Sequence, residues 1–217
     1  MILFDGCSYT YGDELQGTDD DHDYRVKNRF SHVVAEELGD NYVNFGESGK
    51  SNDGILRTTL DYCENHKVDL AIIQFTAFSR FECHKSDSKS GRWYWHITPQ
   101  SNKEISKIYY QYFENINNSA ANYHKNKFLL ENYFKSKKIK YFFMKLQRDR
   151  EIEGFIPSSW YNLVDKTPIM TIRELISSRR HKPENYCKRY VAQPRFQGGH
   201  PNKQGHKRIA EYILENL

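Results

Sequence analysis

The sequence predicts an α/β domain built on a mainly parallel sheet with helices on both faces, and three observations predict it. Four short apolar runs, Ile2–Asp5, Tyr42–Phe45, Leu70–Phe75 and Tyr141–Leu146, alternate along the chain with segments of helical period. The clearest of them, Leu70–Phe75 (LAIIQF), is apolar and β-branched, as a strand buried on both faces requires. Glycine-bearing loops follow the first two runs, and a parallel sheet gathers its functional loops beyond the carboxyl ends of its strands.

The elements follow in order. Ile2–Asp5 runs directly into Gly6, a turn signal, and Asp13–Lys27 is acidic and aperiodic, which predicts a loop. Phe30, Val33, Val34 and Leu38 share one helical face, and Gly39 supplies the stop. After Tyr42–Phe45, the Gly/Ser/Asn-rich Gly46–Gly54 reads as a loop and Ile55–Asn65 as a helix. Residues 78–102 are a long polar and aromatic stretch carrying Arg80, Glu82, Trp93, Trp95 and His96, predicted as an irregular insertion. Glu104–Lys137 has helical period with a break expected near Asn117–Asn118. Residues 147–197 form a second irregular insertion with one helical segment at Ile169–Arg179. Lys203–Leu217 closes the chain as an amphipathic helix, with Ile209, Ala210, Ile213 and Leu214 on one face. No repeat or linker divides the sequence, so a single domain over 1–217 is expected.

Composition narrows the class. Hydrophobic residues are only 38% of the 217, so the surface is very polar, and the 15% of aromatics supply core area that the aliphatics do not. The net charge of +4 is mildly basic, below the level that by itself argues for nucleic-acid binding. The basic clusters Lys135–Lys140 and Arg173–Arg189 read as solvated faces. Cys7, Cys63, Cys83 and Cys187 form no CxxC pair and no repeating spacing, which excludes a zinc framework or a secreted disulfide scaffold and fits reduced thiols. The N-terminal apolar stretch is too short for a signal-peptide core, and no window reaches the roughly 20 apolar residues of a membrane span. A soluble cytoplasmic protein is the expectation, with a larger assembly such as a virus particle as the alternative location.

Three blocks carry chemistry. Gly6-Cys7-Ser8-Tyr9-Thr10-Tyr11-Gly12 follows the first strand. A small residue there allows a sharp turn, so Ser8 either presents its hydroxyl as a nucleophile beside free backbone N–H groups or caps a helix. Asn44–Asn52 follows the second strand, and Gly49 in it could bring a main-chain N–H close to the same centre. Gly198-Gly199-His200-Pro201-Asn202 precedes the last helix. His200 is either a general base reaching across to Ser8 or a surface loop histidine, and His206 reads as structural.

In their order and position, GCSYTYG near the N-terminus and GGHPNKQGH before the last helix resemble the blocks of the SGNH/GDSL hydrolases. That resemblance implies a flavodoxin-like three-layer α/β/α sandwich. It makes Ser8 the nucleophile, His200 the base, and the Ser8 and Gly49 N–H groups part of an oxyanion hole, with no metal or other cofactor. Members cleave esters, thioesters or sugar acetyl groups, so an esterase or carbohydrate deacetylase acting on a small-molecule or carbohydrate ester is expected. Two departures stand out. The family's aspartate three residues before the histidine is Gln197 here, so the site is a dyad, a triad completed from elsewhere, or one of reduced activity. The family's G-x-N-D after the third strand is replaced by Gln74-Phe75-Thr76-Ala77-Phe78-Ser79-Arg80, where Thr76, Ser79 or Arg80 could serve as donor, as could Asn52. The reading from a different class is an SGNH-shaped binding module for carbohydrate or nucleic acid. Trp93, Tyr94 and Trp95 would then, as in a deacetylase, either stack on sugar or form the insertion's own core.

Overall fold

The computed structural model describes residues 1–15, 21–84, 94–99, 101–146 and 200–217. Its central sheet has four strands, β1 (Ile2–Asp5), β2 (Tyr42–Asn44), β3 (Leu70–Phe75) and β6 (Lys140–Lys145), in the order β2-β1-β3-β6. All three pairings are parallel, in register Ile2 with Tyr42 and Leu70, and Leu70 with Lys140.

The period-two alternation of strand side chains divides the core into two layers. Ile2, Phe4, Ile72 and Met144 point to one face, where α3 (Phe30–Leu38) and α7 (Lys203–Glu215) cover them with Phe30, Val34, Ile209 and Ile213. Leu3, Ala71, Ile73 and Phe75 point to the other, against Ile55 of α4 (Asn52–Asn65) and Tyr123, Leu130 and Phe134 of α6 (Ile116–Lys137). The result is a three-layer α/β/α sandwich, as the alternation of elements predicts.

Local capping explains where the boundaries differ from expectation. Within the acidic stretch expected to be a loop, His22–Asn28 forms α2, because the Asp21 carboxylate accepts the Tyr24 N–H at 2.9 Å. Helix α4 begins at Asn52, three residues early, because the Ser51 hydroxyl accepts from Gly54 N–H. Asn44 ends β2 by accepting the Gly46 N–H at 2.7 Å. The expected break at Asn117–Asn118 lies slightly earlier. Glu104–Ile108 forms α5 and continues as a π-helical turn over Tyr109–Phe113, after which Asn115 caps α6 by accepting from both asparagine N–H groups.

The stretch 78–102, expected to be irregular, contains an antiparallel hairpin of β4 (Phe81–His84) and β5 (Tyr94–Ile97). The insertion predicted at 147–197, with its helical segment and the Arg173–Arg189 cluster, lies outside the described residues. In the other basic cluster, Lys135 pairs with Glu131 and Lys137 with Glu64, as on a solvated face. Among the described residues no helix is long and apolar enough to cross a membrane.

Candidate active site

The first block forms a tight turn into the one-turn helix α1 (Ser8–Tyr11), with Cys7 at its N-cap and Ser8 as its first residue. The Thr10 and Tyr11 N–H groups donate to the Cys7 carbonyl, so the groups that α1 cannot satisfy itself belong to Ser8 and Tyr9. Ser8 is 4% exposed, and its Oγ lies 3.8 Å from Cys7 Sγ. Gln74, at the end of β3, clamps the turn from below. Its Oε1 accepts from Cys7 N–H, Cys7 Sγ and Thr10 Oγ1 at 3.1–3.2 Å, while its Nε2 donates to the Phe75 carbonyl. Gly6 has to be glycine here: a Cβ would lie 2.2 Å from Thr10 Oγ1 and 2.8 Å from Gln74 Oε1. Burial pushes the Cys7 thiol up, but the Arg80 charge and hydrogen bonds from Tyr9, Thr76 and Ser8 together outweigh it, and the net direction is downward.

The second block packs directly against this turn. A Cβ on Gly46 would meet Tyr11 N at 2.4 Å, and the Glu47 N–H donates to the Gly6 carbonyl. Beneath the loop, Lys50 Nζ reaches Asp5 Oδ1 at 2.6 Å and the Phe45 carbonyl at 2.8 Å, and both side chains are buried. Thr58 and Thr59 also donate to the Asp5 carboxylate, and Asp5 Oδ1 accepts the Gly6 N–H. Burial pushes the Asp5 carboxyl up, while Lys50 and the threonines pull it back. A buried ion pair with every other lone pair engaged fixes geometry rather than adding much stability. It ties the end of β1, the glycine loop and α4 into one floor.

Gly49 has a left-handed backbone (φ +78), which favours glycine, and the β4–β5 hairpin packs over it through His96 and Thr98. Glu82 holds that hairpin down. It receives a two-point contact from Arg57 at 2.9 and 3.0 Å and lies 3.6 Å from His96 Nδ1, while His96 Nε2 is 3.3 Å from Glu47. The Tyr94 ring carries the Arg57 guanidinium of α4 at 3.7 Å from its centroid and meets His84 across the hairpin at 4.4 Å, so this aromatic packs between the insertion and α4. Trp95 pairs with Cys83 across the hairpin, and Trp93 lies outside the described residues.

After β3, the possible replacements for the family's asparagine separate. Asn52 is 2% exposed and exchanges two hydrogen bonds with the main chain of Thr76, which commits its oxygen and one amide hydrogen. Thr76 Oγ1 accepts from Arg80 Nη1 at 2.7 Å, and the Ser79 carbonyl accepts from Tyr110 Oη. Arg80 is thus near enough for its charge to favour the Cys7 thiolate, and it also lines a cavity of about 240 Å³ beyond β3 with Phe78, Tyr109, Asn122 and Lys125.

The third block approaches from the far end of the chain. Asn202 caps α7 by accepting the Gly205 N–H at 3.0 Å, which puts Pro201 and His200 just outside the helix. The His200 ring packs against Tyr9, the neighbour of Ser8, at a centroid distance of 5.4 Å. Two carboxylates from the segment after α1 meet it. Glu14 Oε2 lies 3.1 Å from Nδ1 and Asp13 Oδ2 lies 4.0 Å from Nε2. Ser48 donates to the same Asp13 oxygen, linking the glycine block to the histidine block. Gln197 lies outside the described residues. His206, by contrast, is fully buried, accepts the Phe30 N–H on Nδ1 and stacks on the Phe30 ring. Burial, then the charges of His200 and Arg29, push its pKa down to about 3, so it is a neutral structural group.

Asp5, Gln74, Lys50, Asp13 and Glu14 are site residues that the sequence alone does not single out. Asp5 and Gln74 sit inside predicted strands, where a polar residue in an apolar run is the available signal. Glu14 lies in an acidic run with no spacing relation to His200.

No family model matches the sequence, and no curated protein matches it. Solved structures do resemble it. A protein of the G-D-S-L family from Desulfitobacterium hafniense has a TM-score of 0.54 at 12% identity, covering 100% of this chain and 99% of that one. A mutant of an acetyl-xylooligosaccharide esterase from Geobacillus has a TM-score of 0.53 at 14% identity, covering 99% and 92%. A psychrotrophic esterase from Pseudoalteromonas, in a structure inhibited by monoethylphosphonate, has 0.50 at 12%, covering 99% and 94%. The chain therefore has the α/β fold of the G-D-S-L lipolytic proteins and related esterases.

Proposed function

We propose that this protein is a serine hydrolase acting on ester or acetyl groups, with Ser8 as nucleophile and His200 as general base. The observation that carries the reading is that the His200 ring packs on Tyr9, adjacent to Ser8, although the two blocks lie at opposite ends of the sequence. The esterase neighbours with the same fold support an ester or a sugar acetate as the substrate class.

In this reaction Ser8 Oγ attacks the acyl carbon while His200 takes its proton. The carbonyl oxygen becomes an oxyanion held by the Ser8 and Gly49 N–H groups, with the positive field of Arg80 in place of the asparagine. His200 returns the proton to the departing alcohol as the C–O bond breaks. Water then attacks the acyl-serine by the same route, releasing the acid and restoring Ser8. Gln74 and the Asp5–Lys50 pair keep the turn and the glycine loop in register.

A second reading, a binding module without turnover, draws on one feature: the stretch Gln74–Arg80 carries no asparagine where the family has one, and the Thr76 hydroxyl within it is engaged by Arg80. Turnover of short-chain aryl esters and acetylated xylo-oligosaccharides, compared across wild type, Ser8→Ala and His200→Ala, separates the two. The hydrolase reading predicts release of acid by wild type alone. Absence of turnover in wild type, with carbohydrate still bound, would favour the binding module.

A further inference from the structure

Given that hydrolase reading, on which it rests, we infer that Glu14 is the carboxylate that orients His200, entering from the segment after the nucleophile helix instead of from the histidine's own loop. Glu14 Oε2 lies 3.1 Å from His200 Nδ1, an ion-pair distance without the alignment of a hydrogen bond, and both side chains are about one-fifth exposed. A small rotation of either side chain, of the kind that tightens a catalytic contact once substrate binds, aligns the pair; the carboxylate then holds the tautomer with its proton on Nδ1 and leaves Nε2 as the lone pair that accepts a serine proton.

The backbone is built to deliver Glu14 to this point. The Gly12 and Asp13 N–H groups both donate to the Ser8 carbonyl, so the segment carrying Glu14 starts from the nucleophile residue itself. Glu14 holds a left-handed backbone (φ 63) that a residue with a Cβ rarely adopts, and Leu15 beyond it is buried. Strain of this kind persists where surrounding structure over-determines a conformation, and here it turns the Glu14 carboxylate towards the imidazole.

Asp13 is the less suitable partner. Its oxygen is 4.0 Å from Nε2, the nitrogen needed for proton transfer, and it accepts from Ser48. Among the described residues, the groups facing His200 include Tyr9 from α1, Asp13 and Glu14 from the segment after it, and His206 from α7, which is neutral. Glu14 is therefore the charge on the Nδ1 side. It acts as a positioning residue through the histidine and touches no substrate.

The experiment measures kcat and KM separately for an activated aryl ester in wild type, Glu14→Gln, Glu14→Asp and Glu14→Gly, with the melting temperature of each. Glu14→Gln should lower kcat by roughly 10²- to 10⁴-fold with little change in KM. Glu14→Asp should recover part of the rate. Glu14→Gly should relieve the left-handed strain, melt no lower than wild type, and yet be as slow as Glu14→Gln. A Glu14→Gln variant with wild-type kcat would overturn the inference while leaving the hydrolase reading intact. An inert wild type would instead remove that reading, and the inference with it.

Discussion

Two histidines six residues apart, one just before α7 and one within it, sit in opposite environments. His206 is sealed between α3 and α7, accepts one main-chain hydrogen bond and stacks on Phe30. Burial holds it neutral, at about 3. His200 is about one-fifth exposed, outside the helix, with an aromatic ring on one side and two carboxylates within 4.0 Å. The lesson is that environment assigns the role. A base needs access to the proton it takes, whereas a buried acceptor does not.

The largest expected effect lies on the His200 side of that comparison. His200→Ala should reduce ester turnover by about 10⁴- to 10⁶-fold, a loss typical of removing a serine hydrolase's base, while its melting temperature stays within a few degrees of wild type. Steady-state kinetics with thermal melts on one preparation checks it.

His206→Ala should do the reverse. It leaves the buried Phe30 N–H unpaired and a void beside the ring, costing about 2–4 kcal/mol, while the protein that remains folded keeps its turnover. Urea unfolding with activity measured at low urea makes that comparison. Should His206→Ala lose activity at full stability, the division of roles would be broken.

The smallest effect is one of pH. His206 has a folded pKa near 3 against an ordinary 6.5, so between these values the unfolded chain binds the extra proton. Its contribution to stability is therefore complete above about pH 6.5 and is lost as pH falls towards 3, with a slope of at most about 1.4 kcal/mol per pH unit. His206→Asn, which keeps an acceptor near Nδ1, should flatten that slope in urea midpoints at pH 7, 5 and 4.

Much of this was legible in the chain. The four strands announce themselves as short apolar runs because a sheet buried on both faces allows nothing else, and the prediction misses β2 and β6 by one residue only at their ends. The serine and histidine blocks are visible because each is a local motif. The hairpin is not, since β4 (FECH) and β5 (YWHI) mix charge and aromatics, and it is held to the domain by Glu82 gripping Arg57 of α4. The short α2 is hidden by an acidic run in which one aspartate, Asp21, happens to be a cap. Glu14 is least legible, because its partner lies at the opposite end of the sequence and the contact depends on a left-handed backbone that no composition rule predicts.

The account turns on Ser8 being a nucleophile activated by His200, and covalent capture tests that most directly. Wild type treated with a serine-reactive fluorophosphonate should gain a single adduct by intact mass, mapped by peptide sequencing to Ser8. Ser8→Ala should gain none, and His200→Ala should label orders of magnitude more slowly. An unlabelled wild type, or an adduct on a residue other than Ser8, would contradict the account.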